Sequence, residues 1–231
     1  MSDIKFTIDG KACTARSGQT IVEAAKANGI YIPVLCFFEG IKPAGTCRIC
    51  TVKVGGRFQA ACTTPVTEGM VIENKTAELE NFRKQIVEML FVEGNHMCPT
   101  CEKSGNCELQ ALGYRYEMMA PRFPYLWPNR TVIANTPKIY LDRNRCIQCM
   151  RCVIDVLTPD GKHVFSAVER GGKTLITMDT ELAATLSEAA AMKAMEQCPV
   201  GCILRKEVGF KVPIGQRKFD SKPIGSEIEG K

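Results

Sequence analysis

The spacing of the cysteines constrains this chain more than any other feature. Twelve of its thirteen cysteines fall into three groups. The first is Cys36-x10-Cys47-x2-Cys50-x11-Cys62, and the second is Cys98-x2-Cys101-x5-Cys107. The third is Cys146-x2-Cys149-x2-Cys152, completed far downstream by Cys198-Pro-Val-Gly-Cys202. An odd count cannot pair completely, and 13 cysteines in 231 residues fall below the ~8–10% of a disulfide scaffold. The opening MSDIKFTIDG carries Asp3 and Lys5 where an export signal needs an apolar run. No stretch approaches the ~18 apolar residues of a membrane helix, since Glu88 interrupts Ile86–Val92. The expectation is a soluble, cytoplasmic chain in a reducing compartment, where clustered cysteines mean metal.

Each group has its own chemistry. Cys47 and Cys50 lie in the loop Gly45-Thr-Cys-Arg-Ile-Cys just ahead of a strand. Two cysteines three apart can hold one iron while Cys36 and Cys62 hold the other, a 2Fe–2S set. Zinc is the rival, but zinc ribbons present paired C-x2-C knuckles, and only one occurs here. In GNHMCPTCEKSGNCELQ, His96 stands beside Cys98, Cys101 and Cys107. That Cys3His set suits zinc or a 4Fe–4S cube with imidazole replacing one thiolate, and its position between two cluster motifs favours the cube. Cys146, Cys149 and Cys152 form the bacterial-ferredoxin run, which brings three sulfurs to three corners of a cube. With no second such run to receive it, Cys198 is expected to return as the fourth ligand, Cys202 being the alternative donor. Twelve ligands then serve three clusters, leaving Cys13 and Cys202 free. Cys13 reads as a small buried hydrophobe, and His163 has no cysteine neighbour.

The intervening sequence reads as an α+β chain. Residues 1–75 alternate as strands: Phe6 and Ile8, a turn at Asp9-Gly10, a return through Ala12 and Thr14, and a second hairpin around Gly55-Gly56. Thr20 with Glu23 forms a capping box opening a helix through Ala27. Together these predict a β-grasp 2Fe–2S domain. In residues 76–115, Leu79, Phe82, Ile86, Met89 and Leu90 recur at helical spacing, so one apolar helix face should precede the histidine/cysteine 4Fe–4S site. Residues 116–204 form a ferredoxin-like 4Fe–4S domain. It begins with an aromatic and proline-rich stretch that should cover clusters or meet a partner, and it ends with an alanine-rich helix over 183–197. Residues 205–231 are polar and basic, a docking tail or a disordered one.

The net charge of +5 invites a nucleic-acid reading. Cluster charge offers another account: about −2 for each four-thiolate cluster and about −1 with imidazole bring about −5 in all. No G-x-G-x-x-G follows a strand, so no nucleotide site is expected in this chain.

The order β-grasp 2Fe–2S, histidine-ligated 4Fe–4S, ferredoxin-type 4Fe–4S resembles the N-terminal part of the large iron–sulfur subunit of respiratory complex I. The same module is similar to part of iron-only hydrogenases and to the small diaphorase (gamma) subunit of NAD-reducing nickel–iron hydrogenases. The absence of a molybdopterin-like extension and the ending VGFKVPIGQRKFDSKPIG look like the last of these. In complex I the histidine precedes its first cysteine by four positions; here His96 precedes Cys98 by two. The resemblance implies a chain without a substrate site of its own that passes electrons between a nickel–iron hydrogenase small subunit and an FMN/NAD-binding diaphorase subunit. FMN, NAD and nickel–iron would belong to those partners in a hetero-oligomer. The equivalent subunit of a formate dehydrogenase or complex I, and a zinc-binding adaptor, are the alternatives.

Overall fold

The computed structural model describes residues 3–230. Met1 and Ser2, at the start of the expected first domain, and Lys231, at the end of the expected tail, lie outside the described residues.

The first unit is a five-stranded sheet. β1 (Ile4–Ile8) and β2 (Lys11–Ala15) form an antiparallel hairpin in which Phe6 faces Cys13. Asp9 and Gly10 both take positive φ at 50° and 77°, the twist that a two-residue hairpin needs. α1 (Ile21–Ala27) carries the capping box of Thr20 and Glu23 and buries Ile21, Val22, Ala24 and Ala25 against the sheet. β3 (Thr51–Val54) and β4 (Arg57–Ala60) make the second hairpin. β5 (Val71–Glu73), which the sequence did not announce, slots in parallel to β1 and antiparallel to β3. The sheet order is β2-β1-β5-β3-β4, so the helix is grasped by two hairpins joined through a short central strand.

α2 (Ala77–Val92) starts at Thr76, whose hydroxyl caps Leu79 N–H. Its buried face differs from the expected stripe. Leu79, Ile86, Val87, Phe91 and Val92 point inward along with Arg83 and Glu88, whereas Met89 is exposed and Phe82 is only half-buried, stacked on Phe58. Hydrophobic periodicity cannot register buried charges that find partners. Arg83 donates to the Asn74 carbonyl at 3.0 Å, the Asn74 Oδ1 at 2.7 Å and the Thr51 carbonyl at 3.0 Å. Glu88 accepts the Arg122 Nε–H, shared between its two carboxylate oxygens.

α3 (Glu108–Arg115) follows the second cysteine group. The last unit combines β6 (Val132–Ile133), β7 (Ile139–Asp142), α4 (Arg151–Asp155), a hairpin of β8 (Phe165–Val168) and β9 (Leu175–Met178), then α5 (Thr180–Thr185), α6 (Glu188–Gln197) and β10 (Ile203–Arg205). β10 pairs with β7 and closes a three-stranded sheet around the third group. The alanine-rich helix expected over 183–197 is broken in two: Leu186 turns extended, and Ser187 caps α6 through Ala190 N–H at 3.1 Å. Helix propensity alone reads as continuous there, but the serine hydroxyl starts a new helix.

The tail folds back on its own chain. Phe219 N–H bonds the Gly105 carbonyl, Arg115 holds the Ile224 carbonyl and Glu229, and Ile224 enters the core. It ends in α7 (Ser226–Glu229). Its first part, with Phe210, Val212 and Ile214, leaves apolar side chains facing solvent. The aromatic stretch is likewise pinned by backbone: Leu126 N–H donates to the Val92 carbonyl and Asn95 to the Pro128 carbonyl. Met119, Leu126 and Trp127 remain exposed.

Arg83→Ala removes the cation joining α2 to the β-grasp sheet and leaves three carbonyl oxygens without their donor. The expected loss is about 3 kcal/mol, which in a chain of this size lowers the thermal midpoint by about 6–12 °C. Circular dichroism reads this directly, and a change below about 2 °C would show that this clamp does not join the two units.

Candidate metal centres

The first cage gathers Cys36, Cys47, Cys50 and Cys62. Three are buried, Cys47 is half-buried, and the Sγ atoms of Cys36 and Cys47 lie 3.3 Å apart. Gly45 and Arg48 take φ of 70° and 58°, which turns the loop so that its amides face sulfur. Cys36 is held well below the ordinary thiol range by hydrogen bonds from the Cys47 and Cys62 thiols, with further help from the backbone N–H groups of Cys47 and Gly45. A Cys62 hydrogen bond lowers Cys50 in the same way. The Cys47 and Cys62 thiols, which donate those hydrogen bonds, are pushed up by them and by burial.

The second cage holds Cys98, Cys101 and Cys107, each within electrostatic reach of the others. Cys98 opens a single 3-10 turn, and Cys107 caps α3, its sulfur accepting Gln110 N–H at 3.4 Å. Burial pushes the Cys107 thiol up to about 12. Arg145 donates to Cys101 Sγ at 3.8 Å. His96 is packed edge-on against Phe91 at 5.3 Å. Burial drives its imidazole down to about 4, so the ring is neutral at pH 7, the form that binds metal. Its Nε2 is buried with no hydrogen-bond partner. The groups that influence the ring are the Leu90 carbonyl, Arg145 and Asp142, not the three thiols.

The third cage contains five cysteines. Cys146, Cys149, Cys152, Cys198 and Cys202 line one small cavity with Ile147, Met150, Ile176, Val200 and Ile203. Cys202, set aside as free from the sequence, here offers its thiol to Cys146 and Cys198. The Cys198 thiol is pulled down to about 6, first by that Cys202 hydrogen bond and, against burial, by Lys103 and the N–H groups of Ile203 and Val200. Gln148 and Met150 take positive φ at 52° and 65°. The Gln148 N–H reaches Cys146 Sγ at 3.4 Å, and the Arg151 and Val153 N–H groups serve Cys149 and Cys152. Cys13 sits apart in the β-grasp core, and His163 is exposed on the surface.

The cages share walls. Glu108 N–H bonds the Pro199 carbonyl at 2.8 Å, joining the second cage to the third. Thr46 Oγ1 bonds the Gln148 carbonyl at 3.4 Å, joining the first to the third. A Cβ added to Gly201 would strike Cys101 Sγ and crowd Lys103, so the Cys198–Cys202 loop lies directly on the second cage. Among the described residues, no three His, Cys, Asp or Glu side chains converge as one bound ion requires; a cluster spreads its ligands over two to four irons instead. The thiol sets fit such clusters, set in apolar walls with backbone amides aimed at sulfur; the orphaned Nε2 of His96 lies against the Gly94 backbone and is not brought onto the three thiols.

The fold and these centres define an iron–sulfur protein of the electron-carrying class, a 2Fe–2S β-grasp unit followed by 4Fe–4S units. The family comparisons agree. A 2Fe–2S iron–sulfur cluster binding domain matches residues 2–77. The NADH-ubiquinone oxidoreductase-G iron–sulfur binding region matches residues 83–122, and the ferredoxin-like domain of NADH-quinone oxidoreductase subunit 3 matches residues 136–204. The gamma subunit of the NAD-reducing hydrogenase HoxS of Cupriavidus necator is 46% identical over 229 residues, covering 98% of both chains. The alpha subunit of NADPH-Fe(3+) oxidoreductase of Geobacter sulfurreducens is 32% identical over 90% of this chain, which spans only 25% of that relative. A chain in a crystal structure of NAD+-reducing [NiFe]-hydrogenase in the H2-reduced state superposes with a TM-score of 0.88 at 40% identity, over 95% of this chain and 94% of that one. This chain belongs to the family of NAD-reducing hydrogenase gamma subunits. Among the described residues no helix is long and apolar enough to cross a membrane.

Gly201→Ala tests the shared wall. The added methyl displaces Cys101 although residue 201 belongs to the third motif, so the second cage's cluster signal in electron paramagnetic resonance (EPR) should shift or disappear. A variant whose second cluster is spectroscopically unchanged would show that the loop does not bear on that cage.

Proposed function

We propose that this chain is the iron–sulfur electron-transfer subunit of a cytoplasmic NAD-reducing hydrogenase. It carries electrons between a nickel–iron hydrogenase small subunit and an FMN/NAD-binding diaphorase subunit, within the reaction H2 + NAD+ = H+ + NADH. The observation that carries this reading is the set of three sulfur cages built side by side in one chain, with full-length likeness to a gamma subunit. The clusters supply one-electron carriers when bound. The chain's own residues hold them, exclude water and set their potentials.

We assign Cys36, Cys47, Cys50 and Cys62 to the 2Fe–2S cluster. His96, Cys98, Cys101 and Cys107 take one 4Fe–4S cluster, and Cys146, Cys149, Cys152 and Cys198 the other. The lowered thiol range of Cys198 supports it over Cys202, equally enclosed, whose own thiol is pushed up by the hydrogen bonds it donates to Cys146 and Cys198. Neutral His96 in place of a thiolate removes a negative charge from the middle cluster, which raises its potential as histidine does in Rieske centres.

Two experiments test this. Purified anaerobically from its native host, the chain should bring nickel–iron and FMN-binding subunits with it and hold about ten irons and about ten acid-labile sulfides. Zinc in place of iron would remove the electron-transfer reading and leave a zinc-binding adaptor. In the purified complex, Cys149→Ala should abolish one cubane EPR signal while sparing the 2Fe–2S signal, and His96→Cys should keep its cube at a lower potential. Survival of both cubane signals in Cys149→Ala, or an unmoved potential in His96→Cys, would overturn the respective assignment.

A further inference from the structure

The meeting point of the three cages is occupied by one cation. Arg151 opens α4, between Cys149 and Cys152, and its side chain is 1% exposed. Nη1 donates to Glu108 Oε1 at 3.0 Å and to the Gln197 carbonyl at 3.1 Å. Nη2 donates to Glu108 Oε2 at 2.7 Å and to the Phe37 carbonyl at 2.8 Å. The guanidinium also lies over the Phe38 ring, 5.2 Å from its centroid. Every acceptor is the immediate sequence neighbour of a candidate ligand: Phe37 follows Cys36, Glu108 follows Cys107, and Gln197 precedes Cys198. The backbone N–H of Arg151 serves Cys149. One planar fork is therefore bonded within one residue of a ligand in each of the three cages.

Stability alone does not account for this residue. Desolvating an ion pair costs several kcal/mol per ion, and a well-packed apolar group of similar volume is often as stable. The clamp is also incomplete, because the buried Nε has no hydrogen-bond partner. What an apolar side chain could not do is bond three separate segments, the Phe37 loop, the start of α3 and the end of α6, at once with fixed geometry and place a permanent positive charge beside them. That charge acts on the third cage, within reach of Cys149 and Cys198. Its partner Glu108, the residue after Cys107, carries the negative end of the pair.

We propose that Arg151 is a positioning residue for electron transfer: its guanidinium fixes the spacing of all three cages, and its charge raises the reduction potential of the third relative to the second. The sign follows from electrostatics. A reduced cluster carries one more negative charge, which a nearby cation stabilises and a nearby carboxylate destabilises. The pair is a built-in bias that draws an electron toward the third cage.

The inference rests on the ligand assignment above, and its test separates the two. In the intact complex, Arg151→Met removes both clamp and charge, whereas Arg151→Lys keeps the charge and loses the fork. Iron content shows first that the clusters are loaded; iron-free wild-type protein would fail the ligand assignment itself, and this inference with it. EPR-monitored redox titration then reads each cube's midpoint, and magnetic coupling between clusters reads their spacing. In loaded Arg151→Met, the third cube should move negative relative to the second by about tenfold in electron distribution, or about 59 mV for one electron. In Arg151→Lys the midpoints should hold while the inter-cluster coupling changes. Midpoints and coupling both unchanged in loaded Arg151→Met would overturn the proposal. Should Arg151→Met fail to load, unchanged coupling in loaded Arg151→Lys would overturn it equally.

Discussion

The structure depends on keeping clustered thiols able to ionise in a dry interior. Burial works against this, driving Cys107, Cys149 and Cys152 toward the protonated form. Backbone amides work for it, with N–H groups turned toward sulfur in all three cages. In the first and third cages the turning is done by residues at positive φ, and Arg48, Gln148 and Met150 are not glycine. Each such residue costs roughly 1–2 kcal/mol of backbone strain, which N–H···S contacts and metal binding offset. The loops are strained where ligands must converge, as expected of functional segments.

The cages are not three independent modules strung along the chain. The Cys198–Cys202 loop supplies sulfur to the third cage, accepts Glu108 N–H through Pro199, and presses Gly201 onto Cys101. The tail closes over α3 from the other side through Phe219, Ile224 and Arg115. An electron carrier requires short, fixed separations through a medium that does not reorganise. Shared walls provide this better than flexible linkers between ferredoxin-like units could.

Part of the chain's positive charge lies inside, close to the cages. Arg145 reaches Cys101 Sγ, Lys103 is buried beside Cys198 with its ammonium on the Met195 carbonyl, and Arg151 is enclosed at the seam. These cations are turned inward, but Arg145 also pairs with Asp142 and Arg151 with Glu108, so the thiols near them share that charge with carboxylates. A nucleic-acid surface would instead spread its cations over an exposed face.

Much was legible before folding was considered. Ligand spacing is a local property, so C-x2-C pairs, the ferredoxin run and the Cys-Pro element announced metal chemistry unaided; the hairpins at Asp9-Gly10 and Gly55-Gly56 and the capping box at Thr20 are equally local. What escaped was whatever depends on residues distant in the chain. The inward face of α2 includes Arg83 and Glu88 because Thr51, Asn74 and Arg122 supply their partners. Ser187 splits a helix that propensity alone would continue. Cys202, unassigned on spacing, shares a cavity with four other cysteines because β10 pairs with β7. Arg151 carries no motif at all: its importance lies in three acceptors 43 to 114 residues away. Sequence determined the spacing of the cysteine groups and the cluster chemistry they suit; only tertiary packing decided how the cages adjoin, because burial and long-range pairing select partners that spacing cannot encode.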